Sequence, residues 1–62
     1  MNEKLPERIA DALKSGIVQG SAEESLEELG KTLLREAGAE NDVVKLIVGK
    51  MLLSITEKLG QA

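Results

Sequence analysis

Residues 43–59 read VVKLIVGKMLLSITEKL, and how this stretch folds decides the architecture. Its first half is rich in β-branched residues and reaches Gly49, so a strand over 43–48, paired with Gly16-Ile17-Val18-Gln19-Gly20, is the competing reading. The apolar run, however, continues through Met51-Leu52-Leu53, well past the usual strand length of about 4–8 residues. A helix over 43–59 is therefore expected, with Asn41 or Asp42 as its cap and Gly60 as its stop. Steps of about 100° per residue place Val44, Ile47, Val48, Met51, Leu52, Ile55 and Leu59 on one wide face. That face is expected to cover the two preceding helices.

Two shorter helical patterns precede it. Over 6–15, Pro6 suits a first turn, Leu5, Ile9, Ala12 and Leu13 recur at helical spacing, and Gly16 is expected as the stop. Over 22–37, Ser21 and Glu24 have the spacing of a capping box. The core positions there are Ala22, Leu26, Leu29, Gly30, Leu33 and Ala37, and Gly38 is expected as the terminator. Connections of about five residues suit neighbouring helices of a bundle. The expected fold is all-α: a single domain over 1–62, a three-helix up-down-up bundle with the third helix central, self-associating into a symmetric dimer.

Opposite the wide face of the third helix lie Leu46 and Leu53, with Gly49 beside them and Val43 at the edge. Leucines on the far side of a central helix have no partner in a monomer. Val43, Leu46, Gly49 and Leu53 are therefore the expected contact stripe, with Gly49 admitting another helix closely. Gly30 and Gly49 each cost about 1 kcal/mol of helix propensity relative to Ala, which points to tight crossings.

The chemistry open to the chain is narrow. It has no Cys, no His and no aromatic residue, so thiol chemistry, disulfides, zinc-finger sites, His-ligated haem and Ser-His-Asp triads are excluded. Glu23, Glu24, Glu27 and Glu28 form an acidic run at i,i+4 spacing. Without the His of carboxylate–histidine metal sites, or a calcium loop, they read as a solvated helix face or an acidic docking face for a basic partner. Lys45 and Lys50 interrupt an apolar helix and are expected to snorkel to water. No phosphate-binding glycine motif occurs. No catalytic residue, metal, cofactor or small-molecule ligand is expected, and no enzyme activity.

Net charge is −3, and residues 21–40 alone carry six acids and two bases. An acidic middle disfavours nucleic acid and anionic membrane as partners. Residues 33–47 have the rough pattern of a helix-turn-helix, with Gly38 in the turn, but Glu40 and Asp42 would open the recognition helix. No apolar leader or spanning segment is evident, so a cytoplasmic location is expected. The leading expectation is a non-enzymatic protein-interaction module (regulator, adaptor or assembly subunit) whose partner is itself or another protein. An engineered helical scaffold without a natural partner is the second reading, and a helix-turn-helix DNA-binding regulator the third.

Overall fold

A computed structural model describes residues 4–61 and contains three helices: α1 (Leu5–Gln19), α2 (Ala22–Glu40) and α3 (Val43–Gln61). Residues 43–48 are helical throughout, so the strand reading falls away. Each helix runs beyond its expected end, and two-residue turns, Gly20-Ser21 and Asn41-Asp42, replace the anticipated five-residue connections.

The stops differ from the sequence reading for a steric reason. α1 passes through Gly16 and ends at Gly20, whose φ of 75° is the left-handed conformation that glycine adopts without strain. There the Ser21 N–H donates to the Gly16 carbonyl at 2.7 Å, and the Gly20 N–H to the Ile17 carbonyl at 3.2 Å. Gly16 itself is buried, because α2 begins directly above it: a Cβ at this position would meet the Ala22 Cα. Similarly, α2 passes through Gly38 and ends at Asn41, with φ 58°, a left-handed position that Asn tolerates better than most residues. The cap of α3 is Asp42, whose Oδ1 accepts from the Lys45 N–H at 3.2 Å. Ser21 occupies the expected cap position of α2, but its hydroxyl makes no capping bond, so the capping box is not formed.

The helix with two neighbours is α2. It packs on both α1 and α3, and α1 and α3 do not approach each other among the described residues. This corrects the expectation that α3 is central. The buried centre is Leu26 and Leu33 of α2 with Leu52 of α3, flanked by half-buried Leu5, Ile9, Ala12, Leu29 and Val48. Leu33 is 0% exposed and is the one large side chain fully enclosed among the described residues.

The contact between α2 and α3 is close because glycine faces glycine. A Cβ on Gly49 would lie 3.0 Å from the Gly30 carbonyl oxygen, and one on Gly30 would lie 3.2 Å from the Gly49 oxygen. Gly30 also makes room for Leu53, and Gly49 for Leu34, each at 3.1 Å from the hypothetical Cβ. The expected tight crossing thus exists, but it lies within one chain.

The glycines give opposite predictions. Gly16→Ala gains helix propensity but drives a methyl into the α2 backbone, and is expected to lose about 1–3 kcal/mol of stability. Gly38 has nothing within 4 Å of its hypothetical Cβ, so Gly38→Ala is expected to gain about 0.5–1 kcal/mol. Urea unfolding followed by far-UV circular dichroism measures both; equal effects of one sign would show that the Gly16 contact is not limiting.

Candidate functional site

The glycine contact also fixes how α3 is rotated about its axis. The residues turned to α2 are Lys45, Gly49, Leu52 and Thr56, all buried, with Val48 and Leu53 half-buried beside them. Two polar side chains therefore enter the interior, and both find partners. The Thr56 hydroxyl donates to the Leu53 carbonyl at 2.8 Å, back-bonding within its own helix. Lys45, only 3% exposed, donates from Nζ to Glu36 Oε1 and to Glu40 Oε1, each at 2.8 Å. Lys45 does not snorkel to water; α2 brings carboxylates to it. No buried side-chain nitrogen or oxygen among the described residues lacks a partner.

Glu36 is the hub of this cluster. Its carboxylate also accepts a two-pronged pair from α1, Arg8 NH1 to Oε1 at 2.9 Å and Arg8 NH2 to Oε2 at 3.1 Å. One α2 residue thus ties α1 and α3 to the same point. Hydrogen bonds from Arg8 first and Lys45 second hold the Glu36 carboxyl down to about 2, with the positive charges adding and partial burial opposing. The sequence signal for this site was the lysine inside an apolar run, with Glu36 and Glu40 one turn apart on α2. Which helix face Lys45 occupies was not readable without the glycine contact.

The expected contact stripe is divided by the fold. Gly49 and Leu53 pack against α2 of the same chain, so they form no outward surface. Val43 and Leu46 remain exposed and line an open groove of about 290 Å³ at the α2–α3 turn, together with Leu34, Ala37, Gly38 and Asn41. Gly38 lies inside α2, and the turn between α2 and α3 falls at Asn41-Asp42, three residues later than the helix-turn-helix pattern of residues 33–47 would place it.

The wide apolar face, expected to be core, is the one α3 turns outward. Val44, Ile47, Met51, Ile55 and Leu59 are exposed, Met51 at 56%, and only Val48 and Leu52 from that face join the interior. On α1, Ile17 and Val18 are exposed as well. The reason is geometric. One neighbouring helix covers a single stripe of α3, and the stripe with glycine at its centre allows the closest approach.

The acidic run offers less. Glu23, Glu24 and Glu28 are exposed, and Glu27 pairs with Lys31 at 3.3 Å, one turn along the helix. Such exposed pairs contribute a few tenths of a kcal/mol. No group of carboxylates among the described residues is placed to hold a metal ion, and no described helix is long and apolar enough to cross a membrane. The strongest candidate for recognition is therefore the outward face of α3.

The charge cluster makes stability depend on pH in a definite direction. Folding lowers the Glu36 carboxyl from its usual 4.5 to about 2, so its contribution is complete above 4.5 and is lost as pH falls toward 2. The carboxylate is 30% exposed, and after allowance for solvent screening the contribution is about 1–2 kcal/mol. Glu36→Gln is expected to lower stability by that amount at neutral pH and to flatten the acid limb. Urea midpoints measured from neutral pH down to about 2 test this; an unchanged acid limb in the variant would place the titration elsewhere.

Comparison with protein-family models, with curated proteins and with solved structures finds no match to this chain.

Proposed function

We propose that this chain is a non-enzymatic helical interaction module, a small regulator, adaptor or assembly subunit, that docks through helix–helix contacts on the outer face of α3. The observation that carries this reading is the run of large aliphatic side chains, Val44, Ile47, Met51, Ile55 and Leu59, left in water on one helix. Scattered surface aliphatics are ordinary, but these recur every three or four residues and so make a continuous stripe. A continuous apolar stripe beside a core as small as Leu26, Leu33 and Leu52 is poorly placed to remain in water.

An up-down-up path supports the reading. Arg8 meets Glu36 while Gly16 meets Ala22, and Lys45 meets Glu36 and Glu40 while a Cβ on Gly60 would meet Glu23. Both pairs of helices then run in opposite directions, and α3 lies at one side of the bundle with its outer face free along its length. The charge cluster serves this function as a clamp: Glu36 holds α1 and α3 to α2, so a rigid helix is presented rather than a loose one.

Sedimentation equilibrium from about 10 µM to about 1 mM tests the assignment, the range in which micromolar to millimolar association is visible. Interference detection is required because Trp and Tyr are absent. The native chain is expected to gain mass above 6.6 kDa as concentration rises. Met51→Glu is expected to weaken association about 100-fold or more, since a carboxylate would be desolvated within an apolar contact. Its helicity and urea midpoint should stay unchanged, because Met51 lies outside the interior. A native chain that stays at monomer mass, or a variant that associates equally well, would overturn the reading.

A further inference from the structure

We infer that the occupant of the α3 outer face is a second copy of this chain, its α3 packed antiparallel across a two-fold axis at Met51. The inference rests on the docking role of that face and adds its partner and geometry.

Two observations converge on it. First, the face is close to palindromic. Met51 has an isoleucine four residues to either side, Ile47 and Ile55, and beyond them Val44 and Leu59 at seven and eight residues. A two-fold axis through Met51 sets Met51 beside its own copy, Ile47 beside the partner's Ile55, and Val44 near the partner's Leu59. The central positions then meet apolar partners, with Lys58 falling opposite Val44 at each end of the contact, and self-complementarity of this kind is what an isologous contact requires. An antiparallel pair also sets the helix dipoles head to tail.

Second, the area fits. A standard interface buries about 800 Å² per partner, roughly two-thirds of it apolar in a homodimer, or on the order of 500 Å². Five large aliphatic side chains, each about half exposed, offer on the order of that area.

The chain has no cysteine, so disulfide trapping reports the geometry directly. Ile47→Cys and Ile55→Cys are prepared separately, mixed in equal amounts and oxidised with copper–phenanthroline; the products are resolved by mass. Both positions are exposed, so both variants should fold, as circular dichroism will check. In the antiparallel dimer the 47–55 mixed product should outnumber the two symmetric products about tenfold. Two copies of position 47 would lie about 12 Å apart along the axis, beyond disulfide reach. Lys14→Cys on exposed α1 supplies the collisional background.

Predominant symmetric products would mean a parallel pair and would overturn the inference while leaving α3 as the docking face. Trapping no better than Lys14→Cys, with Met51-sensitive association still present, would also overturn it, because the copies would then meet in another geometry. A chain that does not associate at all would remove both the second copy and the docking role.

Discussion

The approach of Gly30 to Gly49 is the constraint on which the rest of the molecule depends. Backbone meets backbone there, each glycine lying against the other's carbonyl oxygen, and no residue with a side chain fits without displacing its neighbour. Once these two positions face each other, the rotation of α3 is set. Lys45, Leu52 and Thr56 turn inward, while Val44, Ile47, Met51 and Ile55 turn out. Helix propensity opposes glycine at both sites, and the close packing of Leu34 and Leu53 around the crossing offsets that cost.

The inward rotation of Lys45 creates a second requirement. A buried ammonium is tolerated only when paired, and α2 supplies Glu36 and Glu40 at hydrogen-bonding distance. Arg8 then joins from α1 on the same Glu36 carboxylate. Buried ion pairs are weak sources of net stability but strong sources of register, since a shifted helix would leave a charge unpaired. Alongside the small leucine core and the glycine crossing, the cluster acts chiefly to align α1 and α3 on α2 at one end.

These two requirements explain why an apolar face of α3 remains exposed. α3 has more apolar surface than one neighbouring helix can cover, and α1 sits on a different side of α2. A third contact between α1 and α3 would have closed the bundle around the aliphatic face. Among the described residues no such contact is present, so Lys45, Gly49, Leu52 and Thr56 of α3 are covered by α2 while Val44, Ile47, Met51, Ile55 and Leu59 meet solvent.

Much of the fold was legible in the sequence. The number and order of the helices, their starting points, Asp42 as a cap and the core positions of α2 all follow from periodicity and local chain chemistry, which act within a few residues. The ends were misread at Gly16 and Gly38, because glycine in a helix signals either a stop or a close neighbour, and only the position of Ala22 distinguishes the two at Gly16. The rotation of α3 was misread for the same reason: a wide hydrophobic face is expected to be core, yet Gly49 lets another face come nearer to α2. The sequence by itself determined three helices, a core without aromatic residues and a chain without cysteine or histidine. The tertiary structure decided which face of α3 is buried, because that choice depends on steric fit between residues nearly twenty positions apart, Gly30 and Gly49, and no local pattern records it.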